Sequence, residues 1–184
     1  VMTAADGAEF CQPECIDGVF LKNLHEKAAT ITEDTVIVLH QIGSHGPSYW
    51  LRYPADRELF APACKTPELT DCTTEEIVNA YDNTIAYTDA FLAQVTDLLE
   101  AENRVIPAMF YMSDHGESLG EAGLYLHGTP YFMAPDYQTH VPMVIWMSGR
   151  FRDSLGLDQG CMAETSGGNV SQDNMFSTVL GMLD

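Results

Sequence analysis

The sequence predicts an α/β fold with a mostly parallel sheet and helices on both faces. Three apolar runs, at 35–39, 107–112 and 141–147, are rich in β-branched or aromatic residues and have the length of strands. Segments with helical periodicity surround them, so the predicted order is helix, strand, helix, strand, strand, helix. This alternation is typical of a mainly parallel sheet that is covered by helices.

The first two predicted elements lie between residues 20 and 39. Apolar residues recur at helical spacing over 20–29 and predict a short helix. The β-branched run at 35–39 predicts a central strand. A loop over 40–47 follows it, is punctuated by glycine and proline, and contains His45.

A long helix is predicted after residue 72, whereas 49–72 is too irregular for a regular element. Thr73 and Glu76 fit a capping box, and the apolar periodicity continues to about Glu102. Asn83 lies on this helix, where it could reach a site through intermediate hydrogen bonds. The apolar stripe expected to face the core is Ile77, Tyr81, Ile85, Thr88, Leu92, Val95 and Leu99.

The last predicted element is a helix that opens at Ser171. Its apolar residues recur at helical spacing and are expected to face the core. They are Met175, Phe176, Val179 and Leu180.

The bulk composition restricts the classes of partner. The chain has 184 residues, of which 46% are hydrophobic, and this is enough for one domain with a substantial core. Acidic residues outnumber basic ones 27 to 8, and the net charge of −19 repels phosphate backbones, so we expect no nucleic-acid partner. No apolar run approaches the roughly 20 residues needed to cross a bilayer. Val1 is not an initiator residue, so we expect a piece of a longer protein.

Five cysteines suggest an oxidising compartment. Cys64 and Cys72 flank a loop rich in Pro, Thr and Asp, and Cys11 and Cys15 bracket a tight loop. We predict two disulfides, 64–72 and 11–15, in a compartment such as a periplasm. Zinc coordination by the four is the alternative, although neither pair has the usual two-residue spacing. Cys161 is either a free thiol or bonded outside this chain.

The chemistry of the chain is concentrated after the strand at 107–112. Asp114 and His115 follow it directly, Gly116 permits a sharp turn, and Glu117 adds a carboxylate. Ligands bind at the carboxyl edge of open α/β sheets, and Asp and His are donors suited to zinc. A hydrogen-bonded Asp-His pair in a turn is the structural alternative.

Two further histidines are candidates for the same edge of the sheet. His45 follows the strand at 35–39, and His127 lies twelve positions after His115, within a loop long enough to fold back over the site. Imidazole titrates near neutrality, so both could stabilise phosphate oxygens or transfer protons. A structural role, capping its loop, is the alternative for His45.

These motifs together resemble one family. The segments are Ser-Asp-His-Gly-Glu-Ser-Leu-Gly-Glu at 113–121, Tyr-Leu-His-Gly at 125–128, Leu-His-Gln-Ile-Gly-Ser-His-Gly-Pro at 39–47, Tyr-Asp-Asn-Thr at 81–84, Val-Pro-Met at 141–143 and Ser-Gln-Asp-Asn at 171–174. In combination they resemble the lipid A phosphoethanolamine transferases, which include the mobile colistin-resistance enzymes. This family belongs to the alkaline phosphatase and sulfatase superfamily, so the resemblance implies that fold.

The resemblance implies a function and roles for particular residues. It implies transfer of phosphoethanolamine from phosphatidylethanolamine to a lipid A phosphate at the periplasmic face of the bacterial inner membrane. Zinc would be bound by four protein groups, of which Asp114 and His115 match two. His45, Glu117 and His127 match positions lining the phosphoethanolamine pocket, with His45 and His127 as catalytic groups.

The departures from the family are equally informative. The family's nucleophilic Thr and a zinc-binding Glu belong to upstream motifs, and residues 1–35 contain neither motif. We therefore expect residues 1–184 to be the C-terminal portion of a periplasmic sulfatase-like catalytic domain, incomplete at the N-terminus and inactive alone. Membrane contact would come from a transmembrane domain absent from this sequence, and we expect a monomer.

Two other readings stay open at this point. One is another metal-dependent phosphodiesterase or sulfatase, although no Cys-x-Pro-x-Arg sulfatase motif occurs in the chain. The other is a non-catalytic, disulfide-stapled periplasmic module in which Asp114 and His115 are structural.

Overall fold

The computed structural model describes residues 10–11 and 14–183. These residues form four strands: β1 (Ala108–Met112), β2 (Ser118–Leu119), β3 (Tyr125–Leu126) and β4 (Met143–Met147). The helices are α1 (Val19–Ala28), α2 (Thr74–Ala101), α3 (Asp136–Thr139), α4 (Gly149–Ser154), α5 (Gln159–Thr165) and α6 (Asn174–Gly181).

Helix α2 is the longest element and begins as the sequence predicts. The Thr73 hydroxyl accepts a hydrogen bond from the Glu76 amide, and the Glu76 carboxylate accepts one from the Thr73 amide, so the capping box is complete. The predicted inward stripe is correct at Ile77 and Val95 but wrong at Ile85, which is exposed. The buried residues of α2 are Ile77, Ala80, Asn83, Thr84, Phe91 and Val95.

Two apolar clusters pack against α2. One joins its N-terminal half to the irregular segment 49–72, through Tyr49, Leu69 and Ile77. The other joins its C-terminal half to α1, through Leu24 and Phe91. The chain segments that carry the candidate site pack against these two clusters. Helix α2 therefore fixes the positions of those segments.

Asn83 holds the irregular segment onto α2. Its Oδ1 accepts hydrogen bonds from the amides of Leu59 (2.7 Å) and Phe60 (2.9 Å), and its Nδ2 donates to the Phe60 carbonyl (2.8 Å). All of these bonds go to the backbone of the irregular segment 49–72. Asn83 therefore supports that segment, and these partners do not connect it to the candidate site.

The strands pair differently from the predicted parallel arrangement. β1 and β4 form an antiparallel ladder from Ala108 opposite Met147 to Met112 opposite Met143, and β2 and β3 form a short antiparallel pair. Over 35–39, no ladder partner is present among the described residues. Alternate residues there still behave as in a strand, because Ile37 packs on the second cluster while Val38 is exposed.

The C-terminal region also departs from the prediction. α4 and α5 lie in a stretch for which no element is predicted, and α6 begins at Asn174 rather than Ser171. Met175, Phe176 and Leu180 are exposed, contrary to the expected inward face. Periodicity gives the direction of an apolar face but not what covers it, and the described residues leave most of this face uncovered.

Both predicted disulfides are present, Cys11–Cys15 and Cys64–Cys72, so these four cysteines do not form a zinc knuckle. Cys161 is an exposed free thiol. No helix within the described part of the chain is long and apolar enough to cross a bilayer.

The contacts of Asn83 predict a stability difference between two asparagines of α2. Replacing the fully buried Asn83 with Ala removes the acceptor of two backbone amides, and loss of a buried hydrogen-bond partner costs about 1–3 kcal/mol. We expect the free energy of unfolding to fall by about that amount, measured by urea denaturation. Asn79→Ala is the matched control, because Asn79 makes a single bond to the Pro62 carbonyl (2.9 Å) at a more exposed position. Equal losses in the two variants would contradict this account.

A histidine cluster as the candidate active site

Three histidines from three different loops lie together. His115 follows β1 and stacks on His127, which follows β3, with ring centroids 3.8 Å apart and ring planes at 28°. His45 lies edge-on to both, with centroid distances of 4.9 Å to His127 and 5.9 Å to His115. One ring nitrogen from each histidine lies within 4.8 Å of the others. The structure thus brings together three of the residues that the sequence analysis selects.

The orientation of the three rings follows from their hydrogen bonds. Each Nδ1 faces an oxygen that can only accept, so each Nδ1 carries a proton, and in the neutral ring the nitrogen with the free lone pair is Nε2. This is the orientation that imidazoles need in order to bind a cation. The contacts are His45 Nδ1 to the Gly46 carbonyl (2.7 Å), His115 Nδ1 to the Gly116 carbonyl (3.0 Å) and His127 Nδ1 to Glu117 Oε1 (3.1 Å).

Glu117 is the buried carboxylate that connects these loops. It accepts hydrogen bonds from the Gly46 amide (3.2 Å), from the Tyr49 hydroxyl and from His127. Burial and the Glu117 carboxylate raise the pKa of Tyr49 above its ordinary value, so Tyr49 remains a neutral donor. Glu117 therefore fixes the position of His127 and of the chain that follows His45.

The His45 loop is held from behind by two buried charged residues. Asp17 accepts hydrogen bonds from the amides of Ile42 and Gly43, each at 3.0 Å. Arg52 donates from Nε to the His45 carbonyl at 2.9 Å. Burial raises the pKa of Asp17, an effect opposed by the two amide bonds, by Gln41 and by the Arg52 charge. Sequence reasoning missed both residues, because Asp17 lies in a stretch that reads as an acidic loop.

The turn that carries His115 depends on Gly116. A Cβ atom at this position would lie 2.1 Å from the Tyr137 carbonyl oxygen, so a larger residue cannot be accommodated without moving the backbone. The same close approach lets the Gly116 amide donate to the Gln138 carbonyl at 2.9 Å. The buried Gln138 side chain in turn donates to the Ser118 hydroxyl at 2.9 Å.

Gln172 supports the same turn from the C-terminal region. Its Nε2 lies within hydrogen-bonding distance of the carbonyls of Ser113 (3.0 Å) and Asp114 (2.7 Å). The Ser-Gln-Asp-Asn motif belongs to the family resemblance, but the sequence alone assigns no role to Gln172. Its contacts indicate that it positions the Asp114 backbone.

Asp114 lies at the edge of the cluster. Its side chain is 82% exposed, its Oδ1 accepts from the His115 amide at 3.0 Å, and that oxygen lies 3.9 Å from His115 Nε2. Asp114, His115 and His127 line a cavity of about 230 Å³. The role of Asp114 as a metal ligand stays a prediction.

The donor set suits zinc. Imidazole nitrogens and carboxylate oxygens are ligands that zinc accepts, in tetrahedral geometry with Zn–N distances of about 2.1 Å. Two nitrogens bound to one zinc ion are about 3.4 Å apart, whereas the three ring nitrogens here lie up to 4.8 Å apart.

Known proteins share this fold. The Sulfatase family model matches residues 2–184, and the chain belongs to the sulfatase family. The chain is 47% identical over 173 residues to phosphoethanolamine transferase EptA of Escherichia coli (strain K12), covering 92% of this chain and 31% of that protein. It is 44% identical over 135 residues to phosphatidylethanolamine transferase Mcr-1 of Escherichia coli, covering 72% and 25% respectively.

A solved structure gives the same result. The soluble domain of lipooligosaccharide phosphoethanolamine transferase A from Neisseria meningitidis superimposes with a TM-score of 0.93 at 43% identity, covering 98% of this chain and 55% of that one. The α/β, sulfatase-like fold class and the family resemblance predicted from sequence are therefore confirmed. The chain spans about a third, 31%, of the length of the curated EptA relatives.

The environment of Asp17 predicts how stability depends on pH. Because burial raises its folded-state pKa above the ordinary 3.8, the folded chain holds this proton more tightly than the unfolded chain does. The contribution of Asp17 to the free energy of unfolding therefore falls as pH rises from 3.8 through the folded pKa. Asp17→Asn removes the titration, so we expect the stability of this variant to decline less over that range in urea denaturation.

Asp97→Asn serves as the control, since Asp97 is an exposed residue of α2. It should reproduce the pH dependence of the unmodified chain. If Asp17→Asn does so as well, burial does not govern the titration of Asp17.

Proposed function

We propose that this chain belongs to the catalytic domain of a phosphoethanolamine transferase. The complete protein would transfer phosphoethanolamine from phosphatidylethanolamine to a phosphate group of lipid A, as in polymyxin and colistin resistance. The observation that carries the proposal is the set of three imidazoles whose Nδ1 atoms are all engaged, which leaves three Nε2 atoms for a cation or a phosphate. The identity to EptA and Mcr-1 supports this choice among sulfatase-family activities.

The metal of the proposed site is zinc, with Asp114 and His115 as its ligands from this chain. Bound zinc would supply positive charge at the phosphate oxygens and lower the pKa of the nucleophile. The carbonyl contact at Nδ1 keeps His115 in the tautomer that can bind it. Among the described residues that line the cavity, none is Lys or Arg, so histidine and a bound cation are the available sources of positive charge.

His45 and His127 would bind and orient the phosphate group. An Nε2 that carries a proton donates a hydrogen bond to a phosphate oxygen, while Nδ1 stays on its own acceptor. Glu117 holds His127 for this role, and Arg52 with Asp17 holds the chain that carries His45. In this account Glu117 contributes to substrate binding through the position of His127.

The remaining parts of the proposal follow from the family. The nucleophile would be a Thr outside this sequence, and the domain would act as a monomer at the periplasmic face of the bacterial inner membrane. The two disulfides accord with that oxidising compartment.

The zinc proposal predicts a specific loss in one variant. His115→Ala removes a ligand nitrogen, and we expect zinc affinity, measured by calorimetric titration of the complete protein, to fall by more than the roughly 10–100-fold that loss of a supporting group costs. His127→Ala should have a smaller effect, because its proposed partner is the phosphate. His25→Ala is the control, since His25 is exposed on α1, and it should bind zinc like the unmodified protein.

An unchanged affinity in His115→Ala would refute the metal assignment. The structural alternative for the Asp-His pair predicts a different result for the same variant, namely a lower melting temperature with the zinc affinity retained.

The dependence on an upstream Thr predicts that the chain is inactive alone. With a fluorescent phosphatidylethanolamine donor and lipid A as acceptor, we expect no transferred phosphoethanolamine by mass spectrometry, whereas complete EptA of Escherichia coli serves as the positive control. Transfer by the chain itself would show that the nucleophile lies within residues 1–184.

In the complete protein, His127→Ala should lower turnover. Activity of the complete protein on sulfate esters instead of lipid A would favour the sulfatase interpretation.

A further inference from the structure

A turn beside the candidate site presents three large apolar side chains to solvent. The turn spans 130–135, Pro-Tyr-Phe-Met-Ala-Pro, and its tip consists of Tyr131, Phe132 and Met133, which are 86%, 85% and 65% exposed. Single exposed apolar residues are ordinary on protein surfaces, but three adjacent ones form an apolar patch of the kind that marks an interaction site.

The turn is built to hold these side chains out. The Met133 amide donates to the Pro130 carbonyl (2.8 Å), and the Ala134 amide donates to the Tyr131 carbonyl (3.3 Å). A proline at each end restricts the backbone. The chain then enters α3, whose Gln138 is buried. The tip therefore projects from a fixed base and does not fold back over the core.

The tip borders the candidate site. Tyr131 and Ala134 line the same cavity as Asp114, His115 and His127. Whatever the tip contacts is thus held at the entrance of the histidine cluster.

The charge of the region restricts the partner. Residues 128–135 contain no Asp, Glu, Lys or Arg, and the chain as a whole carries −19. An anionic surface would repel the protein, whereas a zwitterionic lipid surface would not. Tyrosine and other aromatic rings favour the boundary between lipid head groups and acyl chains.

We propose that the 130–135 turn inserts into a zwitterionic lipid interface and so places a lipid head group at the mouth of the histidine cluster. This inference rests on the proposed function, since it concerns how a membrane-embedded donor reaches the site. Contact through this turn is distinct from anchoring by a transmembrane segment.

Another exposed apolar region of the chain fits a different kind of partner. Val36 and Val38 are exposed on the extended segment 35–39, which has no ladder partner among the described residues. Lipid cannot satisfy the backbone amides and carbonyls of such a segment, so protein is the expected cover there. The 130–135 turn bonds its own backbone and presents side chains, as a membrane-inserting loop requires.

The test places a fluorescent reporter at the tip. Phe132→Trp is mixed with vesicles of phosphatidylcholine and phosphatidylethanolamine whose acyl chains are brominated near the head group, and quenching of tryptophan emission is measured. Leu59→Trp is the matched control, because Leu59 is also exposed (70%) but does not line the cavity. Trp50 and Trp146 are present in both variants, so the unmodified chain gives the common background.

We expect added quenching for Phe132→Trp and none for Leu59→Trp, with the difference diminished when anionic lipid is included. A second variant, Phe132→Asp with Met133→Asp, should at least halve the fraction of protein that sediments with the vesicles. Equal quenching at the two positions, or no binding to vesicles, would overturn the proposal. So would a blue-shifted emission of Phe132→Trp that depends on protein concentration without lipid, because another protein copy would then cover the turn.

This experiment requires neither zinc nor transfer activity. A failure of the zinc and transfer predictions leaves its result intact, and insertion can fail while those predictions hold.

Discussion

The site depends on one buried carboxylate. Glu117 accepts hydrogen bonds from a backbone amide and a tyrosine hydroxyl in the segment 46–49, and from the imidazole of His127 in another loop. A buried charge is tolerable only when it is fully hydrogen-bonded, so each donor must be in place for the fold to accept Glu117. The His45 loop, Tyr49 and His127 are therefore coupled, and a shift in one changes the hydrogen bonding of the others.

The supporting residues act mainly through the backbone. Asp17 and Arg52 bind main-chain groups of the His45 loop, while Gln172 and the Gln138 carbonyl bind main-chain groups of the His115 turn. The histidine side chains thus stay available for ligands while the loops that carry them are fixed. Such a division explains how a cluster made of turns can remain ordered, because helix α2 and its two apolar clusters lie beneath it.

The features predicted correctly from sequence are those determined by residues close together in the chain. The capping box at Thr73 and the two disulfides join residues at most eight positions apart. His45, His115 and His127 also come together as expected, but that expectation rested on their motifs and on the loops that follow predicted strands. A further local signal was available, since all three are followed by glycine whereas His25, His40 and His140 are not. For His45 and His115, the carbonyl oxygen of the following glycine accepts the hydrogen bond from the ring Nδ1.

The features that could not be predicted depend on partners far away in the sequence. Asp17 is recognisable as important only when the 41–43 backbone is placed against it, and no local pattern distinguishes it from the other acidic residues of its stretch. Strand pairing also depends on distant residues, because an apolar run predicts the length of a strand but not the direction of the neighbouring strand.

The segment 35–39 has a practical consequence for the isolated chain. An extended, alternately exposed valine-rich edge is a template for pairing between molecules, so a preparation of this chain alone would tend to aggregate at this edge as its concentration rises.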